Sequence, residues 1–482
     1  MDNIFHSNDD CGIEATGLNI AKYSNFKMIP ASISPDPRPF DCQRLLAMLA
    51  ERLPVVRLFG DGVTSASVSL PFLPINTMPL HLPEMWSWVR PSEGLTLIGF
   101  GSALHREFDD PIELAAFIRS LSWHCEPVDG ADEQPVAFLG HGFGGDDPAG
   151  LPGGVLRIPH VLLRQQSGHI DLVFSHAGEG DGETVRLAWL AAAECLLQAL
   201  LAPKPELSEN LLSRVNETPT AEVFRQRVEA ATQAIRIGRV EKVVLSRRVV
   251  VAGSRPFVPA RLAAALAEQN PSCATFTADF GSHVLVAASP ERLVACHGGR
   301  IESYALAGTA LCDPADPFLG DRLLCSAKDR HEHRLVVGWI EEALAGLCET
   351  LEVPVEPRRM TLGNLQHLWT PITGTLRQGA DLLDVAQRLH PTPAVAGLPL
   401  AAARSVLEEL GETRSGWYTG VTGWINRSGD GELAVVLRCA LLNGCLAELS
   451  AGGGIVAESR PDAEFAETEL KLQTMLAALR VA

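Results

Sequence analysis

Glu464, Glu467 and Lys471 follow a run of three glycines, Gly452 to Gly454, in the stretch AGGGIVAESRPDAEFAETELKL. Residues three and four apart share a helix face, so these charges form one stripe beside an apolar face of Phe465, Leu472, Met475, Leu476 and Leu479. A solvated Glu467–Lys471 pair accounts for the spacing without any function, because that order is favourable on an exposed helix. The glycines favour a second account. They bare backbone N–H groups and permit close approach of a ligand carboxylate, so an acid for a cation and a lysine for a carboxylate stand beside a loop without side chains.

A second acid sits where an apolar residue belongs. In SAKDRHEHRLVVGWIEEAL a helix begins near Ser326 with Leu335, Val336 and Trp339 as its core stripe. One turn back on that face lies Glu332. Taken alone, this helix is explained more simply by a carboxylate snorkelling at the helix start under the helix dipole. If Glu332 and Glu467 converge, two carboxylates with water and a substrate oxygen suit Mg²⁺. His331 and His333 flank Glu332 without the i,i+4 spacing of a zinc helix.

The elements that must hold these residues read as an α/β pattern. Amphipathic helices are expected over 222–237, 259–268, 328–346, 381–389, 399–410 and 461–479, between strand-like runs EKVVLSRRVVV, HVLVAASP, YTGVTGWI and ELAVVLRCALL. Short turns such as NRSGDG leave no room for a helical crossover, so much of the sheet is antiparallel. Arg438 lies inside the last of those runs, where an apolar residue is the ordinary choice. Residues 1–40 lack periodicity and read as a loosely ordered arm, 41–205 as a β-rich part and 206–482 as the catalytic region of one integrated unit, with LAPKPELSEN as the linker candidate.

Composition narrows the function further. A net charge of −18 argues against a nucleic-acid or anionic-membrane surface. Eleven cysteines without a C-x-x-C read as reduced thiols, and no signal pattern or long apolar run appears, so a cytoplasmic protein is expected. The glycines of GFGSA and GHGFGGDDP complete neither a dinucleotide fingerprint nor a P-loop.

KVVLSRR, SPERL, ALAGTA, AKDRHEH, LHPTPAVAG, GWYTGVTGW, VVLRCALL and AGGGIVAESRPDAEFAETELKL occur in an order and spacing that resemble the chorismate-utilising enzymes, the anthranilate synthase component I-like family, and within it the isochorismate synthases. The resemblance implies two stacked, largely antiparallel sheets flanked by helices, with the site between them. It implies Lys242 as the base that activates water and Glu291 as the general acid. It makes Glu332 and Glu467 the Mg²⁺ ligands, with Glu464 behind them. Gly308, Thr309, His390, Tyr418, Arg438, Gly452, Gly453, Gly454 and Lys471 fall where the family meets chorismate. Such chemistry needs a neutral Lys242, expected from burial and the nearby cations Arg247 or Arg248, and a protonated Glu291. For His390, satisfying a loop carbonyl is the slightly favoured account.

Relatives that use ammonia carry another residue at the base position or a lysine before the Gly-Thr pair, where this chain has Ala307. Isochorismate synthase is therefore the leading expectation, feeding siderophore, salicylate or menaquinone synthesis, as a monomer without a glutaminase subunit. A bifunctional salicylate synthase, which also eliminates pyruvate, is the runner-up. A non-catalytic chorismate-binding subunit would be expected to lack one of Lys242, Glu291, Glu332 and Glu467, and all four are present.

Overall fold

The computed structural model describes residues 42–70, 82–127, 134–144, 147–202, 208–312, 316, 318–362 and 365–482. The arm expected over residues 1–40 lies outside them, as does half of the linker candidate, 203–207.

Many strands of this chain are apolar on both faces, which suits a sheet covered on both sides. Along Leu95–Phe100, Leu95 and Leu97 join one buried cluster while Ile98 and Phe100 join another. Two sheets accordingly stack with helices outside: a thirteen-stranded sheet and a ten-stranded sheet. Trp86, Trp88 and Phe276 of the larger sheet meet Phe138, Trp424 and Ala434 of the smaller in the layer between them. Helices Cys42–Arg52, Gly182–Leu201 and Pro461–Leu479 cover the outer face of the larger sheet, and Ala327–Ala345 and Leu382–Leu389 that of the smaller. The pairings are antiparallel apart from Gly62–Leu70 with Ser122–Pro127. Strands from both sides of the linker candidate pair within each sheet. Gly182–Leu201 is long and apolar enough to cross a membrane, yet it packs Val185, Trp189, Leu196 and Leu197 into the core.

Two chain crossings between the sheets matter most. Val284–Ser289 belongs to the larger sheet and Arg292–His297 to the smaller, so Glu291 stands at the crossing. The run ELAVVLRCALL, expected as one strand, is two: Gly431–Val435 in the smaller sheet and Cys439–Asn443 in the larger. The break falls at Arg438, whose φ of 49° is left-handed and ends a strand. The crossings run side by side, tied by Val435 N–H to Glu291 O (3.0 Å) and Ala288 N–H to Arg438 O (3.1 Å).

Candidate active site

Between the sheets, at these crossings, lies a cavity of about 140 Å³. Lys242, Glu291, Gly308, Thr309, Glu332, Tyr418, Arg438, Gly452, Gly453, Gly454, Glu467 and Lys471 all line it. Lys242 opens the strand Lys242–Gly253, is 1% exposed, and donates to Glu332 Oε1 at 2.8 Å. Glu332 projects from Ala327–Ala345, whose Ser326 cap accepts from Asp329 N–H. Pro461 opens the last helix, on which Lys471 bonds Glu467 at 2.8 Å and also donates to Gly452 O at 2.8 Å.

The three glycines sit in the strand Leu446–Ile455 and not in a loop, paired with Lys242–Gly253 in the register Gly454↔Val244 and Gly452↔Ser246. Their need for glycine is spatial. A Cβ on Gly454 would stand 2.7 Å from Lys242 Cε and 2.8 Å from Glu332 Oε1, and one on Gly452 would stand 2.9 Å from the Tyr418 hydroxyl. Gly308 differs: its φ of 78° and the register shift between Ala307 and Thr309 make a bulge, which turns the strand at the cavity wall.

Burial pushes the Glu291 carboxyl up to about 7, against a hydrogen bond from Thr392 and the charges of Lys242 and Lys471. Burial also acts on Glu332, but Lys242, Lys328 and Lys471 outweigh it and hold that carboxyl below its usual range. Asp329 and Glu464 are raised by burial and by the neighbouring acids Glu332 and Glu467. Burial, with Arg438 and Lys471, drives the His367 imidazole down to about 3, which keeps it neutral. Its Nδ1 lies 3.1 Å from Thr309 Oγ1 while its buried Nε2 has no partner. The Arg438 guanidinium has no hydrogen bond or ion pair among the described residues. Two kinds of ligand feature thus line one cavity: cations for a carboxylate and a group of acids for a metal ion. Among the described residues no three His, Cys, Asp or Glu form a ready metal cage. The all-carboxylate donors Glu332 and Glu467 still fit Mg²⁺, which takes one or two protein carboxylates plus water and substrate oxygens.

A chorismate binding enzyme family model matches residues 72–480. The chain belongs to that family. Isochorismate synthase MenF of Bacillus subtilis is 29% identical over 81% of this chain and 87% of its own. Isochorismate synthase EntC of Escherichia coli is 40% identical over 54% of this chain and 67% of its own. The solved menaquinone-specific isochorismate synthase MenF of Escherichia coli superposes with a TM-score of 0.73 at 26% identity, covering 91% of this chain and 98% of that one. The two stacked, largely antiparallel sheets are the chorismate-binding fold.

Against this family site, several sequence expectations need correction. His390 does not line the cavity. As the account favoured for its side chain expects, its Nε2 donates to a backbone carbonyl, Thr419 O, at 2.8 Å, and it borders a separate cavity with His141 and Phe143. Arg247 and Arg248 do not stand beside Lys242: Arg247 lies under Phe465 and pairs with Glu469, and Arg248 pairs with Glu448. Alternation along the strand carries Arg247 to the opposite face. The core stripe of Ala327–Ala345 is His333, Val336, Ile340 and Leu344, with Leu335 and Trp339 only partly buried. Glu464 stands outside the lining, 3% exposed, accepting from Ser459 Oγ at 2.7 Å. Lys328, Asp329 and His367 line the cavity and were missed. Helical spacing could have found the first two, which lie four and three residues before Glu332; His367, inside an apolar strand, offered no pattern.

Proposed function

We propose that this chain is a Mg²⁺-dependent isochorismate synthase that adds water at C2 of chorismate with loss of the C4 hydroxyl. The observation that carries the reading is an amine and a protonatable carboxyl, Lys242 and Glu291, in one cavity with an Arg438 unpaired among the described residues. Lys242, in its free-amine form, accepts a proton from a water molecule, and the water oxygen bonds C2. The ring double bonds shift, the C4–O bond breaks, and Glu291 gives its proton to the departing oxygen, which leaves as water. One water enters and one departs, and the proton returns from Lys242 to Glu291 through solvent. General acid and base catalysis of this kind contributes about 10²–10⁴-fold. Glu332 and Glu467 would hold the metal ion, which when bound supplies positive charge against these acids and a ligand for one substrate carboxylate. Arg438 and Lys471 hold the other carboxylate. Ala307 at the cavity wall, in place of a lysine, supports water over ammonia as nucleophile. A cytoplasmic monomer acting without a glutaminase subunit completes the reading.

Incubating the protein with chorismate and Mg²⁺, then with EDTA, and identifying products by chromatography and mass tests this. Isochorismate formed only with metal is expected. Salicylate and pyruvate from the same tube would replace the reading with a bifunctional salicylate synthase, and binding without turnover with a non-catalytic subunit.

A further inference from the structure

The loop His390–Gly397 reaches the cavity without contributing a charged group. Its Thr392 is buried at 4% exposure and places its hydroxyl 3.2 Å from Glu291 Oε1. We infer that Thr392 is a positioning residue for the general acid: by donating to Oε1 it leaves the other oxygen of Glu291 to carry the proton into the cavity. The inference rests on the role proposed above for Glu291.

The geometry of the loop suits that task. Pro391 and Pro393 restrict φ on either side of Thr392, and its carbonyl accepts from Val395 N–H at 3.1 Å and Ala396 N–H at 3.0 Å. Ala396 O in turn accepts from Val244 N–H at 3.0 Å, on the strand that carries Lys242, and His390 is held by Thr419 O. The hydroxyl is therefore delivered from a fixed backbone. Glu291 needs such a partner because the terminal torsion of a glutamate is broad and two-fold, so its proton can reside on either oxygen. Oε1 is the oxygen with a protein partner among the described residues. Proton delivery requires heavy atoms within about 2.6–3.2 Å, which makes the wrong oxygen unproductive.

The charges that bear on Glu291 are Lys242 from its strand and Lys471 from the last helix, and both favour the carboxylate, as does the Thr392 hydrogen bond. Lys328, Asp329 and Glu332 from Ala327–Ala345, Glu467, His367 and Arg438 line the same cavity. Loss of the hydroxyl alone moves the Glu291 carboxyl further up.

Thr392→Val, which keeps the volume, and Thr392→Ser, which keeps the hydroxyl, are compared for kcat, KM and pH profile on chorismate with Mg²⁺, beside Glu291→Gln. Thr392→Val is expected to lose about tenfold in kcat, a fraction of what acid catalysis supplies, with KM changed less than about twofold and the falling alkaline limb moved to higher pH. Thr392→Ser restores both. A purely structural role would leave the limb in place, and wild-type kcat and limb in Thr392→Val, or a Ser variant as impaired as the Val variant, overturns the inference. Turnover retained by Glu291→Gln overturns the acid role and the inference together, whereas turnover lost in Glu291→Gln with an unchanged Thr392→Val overturns the inference alone.

Discussion

Two buried charge clusters lie along one stretch of chain. In the first, Glu432 on Gly431–Val435 accepts from Trp88 Nε1 at 3.2 Å, Arg90 Nε at 3.2 Å and Arg292 Nε at 2.8 Å, and Arg292 also pairs with Glu93 and Glu302. Burial raises its carboxyl, but Arg90 and Arg292 outweigh that and hold it below the usual range. In the second, a few residues on, Lys242 pairs with Glu332 and Lys471 with Glu467, while among the described residues Arg438 is unpaired and His367 Nε2 unsatisfied, and burial pushes Glu291 up to about 7. The closed cluster gives each of its arginines an acid; the open one leaves Arg438 and His367 Nε2 without a partner among the described residues. Buried charge is thus a sign of function where partners are missing, and a structural feature where they are complete.

The contrast can be broken most sharply by Lys242→Ala. Turnover should fall about 10³-fold or more while Mg²⁺-dependent ligand binding persists; turnover close to that of the unaltered protein would remove the base from the open cluster. Glu432→Ala acts oppositely. Removing the buried acid that Arg90 and Arg292 share costs about 3–5 kcal/mol, read by urea unfolding, and unchanged stability would mean the closed cluster holds nothing together.

A smaller effect separates the clusters by sign. The Glu291 carboxyl is raised in the folded protein, so the folded state holds its proton after the unfolded chain has lost it, and stability falls as pH rises from about 4.5 toward about 7. Glu291→Gln should therefore stabilise the ligand-free protein by up to about 3 kcal/mol at pH 8 and by nothing below pH ~4. Glu432, depressed, contributes stability that is lost as pH falls. A Glu291→Gln gain that is the same at both pH values would contradict the assignment. Least of the four, Arg438→Lys keeps the charge but loses the planar fork, and should weaken chorismate binding by about tenfold, measured by titration in the Lys242→Ala background.

Much of the open cluster was legible from residue pattern. The last helix runs over Pro461–Leu479 as its periodicity indicates, and the inward placement of Glu332 followed from counting back one turn, even though the neighbouring stripe was misread by partial burial of Leu335 and Trp339. His367 and Thr392 were not legible as site residues, because a histidine in an apolar strand and a threonine between prolines have many structural uses.

By itself the sequence determined where six of the helices lie, which acids and lysine share a face, and through its ordered motifs the family, because helical period and motif order are local properties of the chain. Tertiary structure alone decided that ELAVVLRCALL breaks at Arg438, that the glycines form a strand facing Lys242, and that His390 turns away. Each depends on which sheet a residue joins and what packs against it, and an apolar run reads the same whether it stays in one sheet or crosses to the next.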